Sequence, residues 1–197
     1  MPPMKRMTPK GPDIMAGKEL CPTLVFDLET KHLAEEVGGW DNIRGMGMSV
    51  AVTYCIEEDR FAVYTEAEVQ ALIRDLLAAK QVIGFNIVRF DYEVLRGYSF
   101  HTLRESVPTL DLMIPLYQTL GFRPKLEDLA AATLGVGKLG DGLDAVRWYR
   151  EGELEKLAEY CRRDVEATHQ IYRYGKEHGH VLLRDRYRGS RRVPVSW

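Results

Sequence analysis

The sequence predicts an α/β domain built on a mixed five-stranded sheet, with an antiparallel hairpin at one edge and helices packed on its faces. Three observations carry this reading: three β patterns follow one another near the start, a helical stripe follows the third, and strand and helix patterns then alternate. Strands joined by a tight turn run antiparallel, whereas strands reached through a helix return in parallel.

In PTLVFDLET, residues 22–30, Val25, Asp27 and Glu29 fall on one face and Leu24, Phe26 and Leu28 on the other, as in a core strand with acids at its far end. The polar, glycine-containing loop KHLAEEVGGWDNIRG follows. MGMSVAVTYCI, the short turn EEDR and FAVYT then read as two strands forming a hairpin beside the first, rich in β-branched residues. From Glu66 the apolar positions Val69, Leu72, Ile73, Leu76 and Leu77 recur at three and four, the stripe of a helix lying on a sheet. QVIGFN reads as a buried strand, VRFDYEVLRGY as a short helix closing near Gly97, and SVPTLDLM as the fifth strand. Lys125 to Leu134 reads as a helix with Leu126, Leu129 and Ala130 inward. The last long helix runs from about Glu153 to Tyr174 and buries Leu154, Leu157, Ala158, Cys161, Val165, Thr168 and Tyr172.

A length of 197 residues suits one domain, here a flexible N-terminal lead (1–20), a body (21–178) and a basic C-terminal tail (179–197). At 45% hydrophobic and 28% charged residues the chain is neither disordered, collagenous nor of low complexity. Its longest uncharged apolar stretches, Met46 to Ile56 and Gln81 to Ile87, fall far short of the roughly 20 residues a membrane span needs. The N-terminus lacks the apolar core of a signal peptide, so a cytoplasmic protein without a membrane partner is expected. The three cysteines, Cys21, Cys55 and Cys161, are odd in number and have no Cys-x-x-Cys spacing, which suggests neither a disulfide framework nor a zinc site. The net charge of −2 conceals +2 over the first twenty residues, −8 over residues 21–178 and +4 over the last nineteen. An acidic body with basic ends does not grip a duplex through a broad cationic face. If such a chain handles nucleic acid, metal ions must mask some carboxylates. The tail, RDRYRGSRRVPVSW, reads as a strand guide or as a solvated, disordered end.

Three places hold acids that need an explanation. Asp27 and Glu29 stand two residues apart on a strand buried on both faces, where an unpaired ionised group costs several kcal/mol. They either meet water at a strand end or face something positive. Asp91, in GFNIVRFDYEVL, lies in the first turn of a helix, where a carboxylate also complements the helix dipole. In YCRRDVEAT, Tyr160 and Asp164 are four apart and share a face beside the apolar stripe.

Together, D-x-E at a strand end, N-x3-F-D some sixty residues on and Y-x3-D on a late helix resemble the three motifs of the DEDD superfamily of 3′-to-5′ exonucleases, in its tyrosine (DEDDy) branch. The resemblance spans about Cys21 to Tyr174. It is closest in kind to stand-alone predicted ribonuclease-H-like exonucleases and, more distantly, to the proofreading domain of family-B DNA polymerases. The histidine branch would place His where Glu159 stands, and His169 lies on the wrong side of Asp164.

The resemblance implies a ribonuclease-H-like fold in which Asp27, Glu29, Asp91 and Asp164 hold two divalent ions. Mg²⁺ or Mn²⁺ suits such hard oxygen ligands, and two ions about 3.5–4 Å apart would clamp the scissile phosphate. Tyr160, with an ordinary pKa near 10, would orient the attacking water rather than act as a free base. Thr30 and Asn86 match motif positions and either touch the terminal nucleotide or brace the site. Trp40 either stacks on a base or wedges into the core, and Lys138 is a phosphate contact or a solvated loop lysine. Asp111 caps or braces its strand end. The activity implied is release of nucleoside 5′-monophosphates from a single-stranded DNA or RNA 3′ end. Whether the domain acts alone or beside a helicase or polymerase stays open. Haloacid-dehalogenase-type phosphatases begin with D-x-D-x-T, but the third position here is Glu29, and that chemistry leaves Tyr160 and Asp164 without a role. The other reading is a catalytically inactive nucleic-acid-binding or scaffold domain, although all four acids and the tyrosine are present.

Overall fold

The computed structural model describes residues 22–137, 142–185 and 189–197. The N-terminal lead of residues 1–20 lies outside them. Strands β1 (Thr23–Thr30), β2 (Met48–Cys55) and β3 (Arg60–Thr65) form an antiparallel meander. Helix α1 (Val69–Ala78) then carries the chain across to β4 (Gln81–Gly84), parallel to β1 on its other edge. Helices α2 (Asp91–Leu95) and α3 (Leu103–Ser106) lead to β5 (Thr109–Asp111), parallel to β4. The resulting sheet has the order β3-β2-β1-β4-β5, the mixed five-stranded sheet with a hairpin edge that the sequence predicts.

Each face of the sheet carries its own core. On one, Leu24, Phe26 and Leu28 of β1 pack with Leu72 and Leu76 of α1 and Tyr92 and Val94 of α2. Each such side chain contributes about 1.5–3 kcal/mol by leaving water. Past β5 the chain adds α4 (Met113–Leu120), α5 (Leu126–Leu134), α6 (Gly142–Glu151) and α7 (Leu154–His178). Leu129 of α5 and Leu157, Cys161 and Val165 of α7 cover the opposite face, against Val25, Val50, Val52 and Ile83. The period-two alternation of β1 thus points Asp27 and Glu29 toward the α7 side.

Several features depart from the sequence reading. The fifth strand is shorter than SVPTLDLM, because the Asp111 carboxylate accepts the Met113 amide at 3.0 Å and turns the chain into α4. The α6 helix was not foreseen, since Ala145, Val146 and Tyr149 span little more than one turn of apolar pattern. The segment read as a basic tail is instead a hairpin of β6 (His180–Asp185) and β7 (Gly189–Pro194). Val181, Leu183 and Val193 are buried in the second core, and Thr133 Oγ1 exchanges hydrogen bonds with the Leu182 backbone at 2.9 Å. Trp197 completes the closure: its Nε1 donates to the Tyr172 carbonyl at 2.9 Å, and its ring lies where a Cβ on Gly175 would come within 2.5 Å. The clustered arginines obscured this alternation of buried and exposed positions.

Cys161 is free and buried, as its place on the apolar stripe requires. Cys55, however, is disulfide-bonded, because an odd count excludes complete pairing but not a single bridge. Among the described residues no helix is long and apolar enough to cross a membrane.

Candidate active site

Four carboxylates reach one place from three elements. Asp27 and Glu29 leave β1 opposite Val52 and Val50 of β2, just before the register shift between Glu29 and Thr30. The ladder from β1 to β4 ends at Val25 and Ile83, so farther along β1 the Leu28 amide finds another acceptor. That acceptor is Asp91 Oδ1 at 3.1 Å, and the bond holds the first residue of α2 against the strand with 2% of its surface exposed. Asp164 comes from α7, one turn beyond Tyr160, whose hydroxyl donates to its carboxylate. Between them on the helix, the Cys161 thiol donates to the Asp27 carbonyl oxygen at 3.4 Å and lies 3.7 Å from Asp27 Oδ2. One ligand atom each from Asp27, Glu29 and Cys161 falls within 4.8 Å of the others.

The electrostatics follow from that crowding. Burial raises the Asp27 carboxyl well above its ordinary range, and Asp91, Asp164 and Glu29 raise it further, against a small lowering from the Cys161 hydrogen bond. Glu29 is likewise pushed well up, by burial and then by Asp164 and Asp91. Asp91 rises to about 8, chiefly through burial, which outweighs its bonds to backbone amides. Asp164 rises to about 7 through burial, with Tyr160 lowering and Glu127 raising it. Tyr160 is itself pushed up by burial and by Asp164, Glu29 and Asp27, so its hydroxyl stays protonated across the physiological range. Among the described residues no cationic side chain acts on the four acids, and none of them forms a salt bridge.

Such a nest fits divalent cations. Its donors are carboxylate oxygens, the ligand type of Mg²⁺ and Mn²⁺. The Cys161 thiol beside them is raised well above its usual value by burial and then by the acids. Sequence reasoning missed this thiol's proximity to Asp27, although the stripe Leu157, Cys161, Val165 carried the signal. It also missed Trp148 of α6, whose ring stands edge-on to Tyr160 at 5.7 Å and fixes its orientation.

The lesser candidates separate. Thr30 is buried and its hydroxyl donates to the His32 carbonyl at 3.0 Å, a brace across the register shift. Asn86 occupies the left-handed region at φ 67°, held there as Asp111 Oδ1 accepts its amide at 2.7 Å, while its own Oδ1 accepts from Arg123 at 2.6 Å. Asp111 also takes the Val88 amide at 3.0 Å, the bracing role expected of it. Trp40 is 66% exposed and lies 6.2 Å from the Phe90 ring. With Ile43, Asn86, Arg89 and Phe90 it lines a cleft of about 280 Å³. Lys138 lies outside the described residues. Glu159 is exposed and pairs with Arg163, and His169 packs on the Tyr54 ring at 4.8 Å, so neither joins the acids.

A family model described as RNase_H superfamily matches residues 24–175, a stretch holding all four acids and Tyr160. No curated protein sequence matches significantly. Among solved structures, the zinc-ion-bound form of the E. coli ExoI–ssDNA complex is similar, with a TM-score of 0.44 and 16% identity over 79% of this chain and 40% of that one. The chain thus spans about two fifths of that protein's length, and a likeness at this level says nothing of activity.

Proposed function

We propose that this chain, which belongs to the RNase_H superfamily, is a nuclease, and in finer terms a metal-dependent 3′-to-5′ exonuclease of the DEDDy kind acting on single-stranded nucleic acid. The observation that supports this most is the nest of Asp27, Glu29, Asp91 and Asp164, mutually destabilising and without a cationic side chain among the described residues to offset it, beside a protonated tyrosine. An arrangement this costly in the bare protein makes physical sense where cations are held.

In this reading the four carboxylates hold two ions, Mg²⁺ or Mn²⁺. When bound, divalent ions supply Lewis-acid polarisation of the phosphodiester, activation of water and stabilisation of the departing oxygen. The chain's own groups do the rest. Leu28 and Cys161 fix Asp91 and Asp27 through hydrogen bonds to the strand and to the carboxylate. Tyr160, protonated and anchored to Asp164, presents its oxygen to align the incoming water and is too basic to serve as the proton acceptor at neutral pH. The Trp40–Phe90 cleft, beginning one residue before Asp91, offers a stacking surface to the base of the terminal nucleotide.

The test is incubation of the purified protein with 5′-labelled linear DNA and RNA single strands and with a circular single strand, each with Mg²⁺, Mn²⁺ or chelator. A ladder shortening from the 3′ end only when metal is present, with the circle untouched, is the expected result. Cleavage of the circle would assign an endonuclease on the same fold. No cleavage with either metal would return the domain to a binding or scaffold role.

A further inference from the structure

Beyond the acids, one cleft gathers positive charge on a body whose residues 21–178 carry a net −8. Val88, Arg89, Glu93, Arg104, Asp111, Ile114 and Arg123 line a cavity of about 370 Å³. Its three arginines arrive from separate elements: Arg89 from the link between β4 and α2, Arg104 from α3, and Arg123 from the link between α4 and α5. All three are exposed. Of the two acids in the wall, only Asp111 feels one of them, its carboxyl raised by burial and lowered against that rise by the Arg123 charge. Glu93 is engaged by Arg96 at 3.0 Å and Arg44 at 3.5 Å, and the Asp111 carboxylate accepts the amides of Asn86, Val88 and Met113. Among the described residues Arg89 and Arg104 have no carboxylate partner. Arg123 bonds a neutral amide, Asn86 Oδ1, and lies 5.3 Å over the Tyr117 ring, which is itself half exposed. Exposed guanidinium groups beside an exposed aromatic ring are what a single strand needs, with charge for the phosphates and a face for a base.

This cleft adjoins the one formed by Trp40 and Phe90, because Arg89 belongs to both. We infer that the Arg89–Arg104–Arg123 cleft is a binding track for the phosphodiester backbone of a single strand, gripping the nucleotides upstream of the one whose base stacks on the Trp40–Phe90 surface. The inference rests on the exonuclease reading for its orientation, but the phosphate site itself stands on the charges and the cavity. Contact then comes from the α2–α4 side of the domain rather than through Arg184, Arg191 and Arg192, which lie on the paired strands β6 and β7.

The experiment measures binding of a 5′-fluorescein-labelled twelve-nucleotide single strand by anisotropy, with Ca²⁺ in place of Mg²⁺, from low to moderate salt. Proteins compared are the wild type, the double variant Arg89→Gln/Arg104→Gln, and Arg163→Gln, which removes an equally exposed arginine on α7. Single strands lose about 0.7 from the slope of log K against log salt for each phosphate contact removed. The double variant should therefore show a slope shallower by about 1.4 and weaker binding at low salt, while Arg163→Gln follows the wild type. An unchanged slope and affinity in the double variant would overturn the track, as would failure of the wild type to bind at all. Cleavage by the wild type in Mg²⁺ and in Mn²⁺ is scored separately: its absence with both metals alongside a shallower slope would remove the exonuclease reading and leave the track.

Discussion

Replacing Asp91 by Asn isolates the cost of crowding the acids together. Asn keeps the size of the side chain and an Oδ1 that can still accept the Leu28 amide, now at 3.1 Å from Asp91, so the packing of a residue only 2% exposed is preserved. What changes is charge. The Asp91 carboxyl titrates at about 8 in the fold and near 3.9 in an unfolded chain. With the folded value raised, the native state holds more protons than the unfolded one throughout that interval. Metal-free stability must then fall as pH rises from about 4 to about 8, and level off outside. At 1.36 kcal/mol per pH unit, the full interval corresponds to on the order of 5 kcal/mol as an upper bound for this group. Urea unfolding at pH 5, 7 and 9 in chelator should show the wild type losing stability with pH and the Asn variant losing several kcal/mol less, so that at pH 9 the variant is the more stable protein. Mn²⁺ should narrow the gap. At a hundredfold excess over Kd a single site adds about 2.7 kcal/mol, which for a chain of this size raises Tm by about 5–11 °C. The variant should gain clearly less. Identical pH slopes and identical gains from Mn²⁺ would refute both the burial argument and the assignment of Asp91 as a ligand.

Other perturbations read other parts of the molecule. Tyr160→Phe keeps the ring against Trp148 and removes the hydroxyl bonded to Asp164, so kcat should fall by about 10²–10⁴ with KM little changed; a wild-type rate would remove Tyr160 from the mechanism. Leu183→Ala, in the C-terminal hairpin, should cost about 2–5 kcal/mol in denaturant unfolding, whereas a solvated tail would show no effect. Trp40→Ala should leave the unfolding midpoint near wild type, since the side chain is mostly exposed, while weakening single-strand binding by about 1–3 kcal/mol for one lost stack; unchanged affinity would make Trp40 a surface residue only.

Short-range pattern was enough to read the strand β1, its two faces and the placement of its acids, because alternation has a period of two and sets Val25, Asp27 and Glu29 on one face and Leu24, Phe26 and Leu28 on the other. The same holds for α1, whose stripe of Val69, Leu72, Ile73 and Leu76 is buried as its spacing demands, and for Tyr160 and Asp164, which one helical turn brings together. Sequence spacing does not reveal which distant groups meet. The Cys161 thiol lies against Asp27 across 134 positions of chain, Asp91 replaces a missing strand partner for Leu28 across 63, and Arg123 reaches Asn86 across 37. Each contact depends on how helices dock on the sheet, a long-range packing outcome with no local period. The C-terminal hairpin shows the same limit. Arginine-rich residues look solvated along the chain, yet Val181, Leu183 and Val193 find an apolar face prepared by α5 and α7, and burial there outweighs the charge beside them.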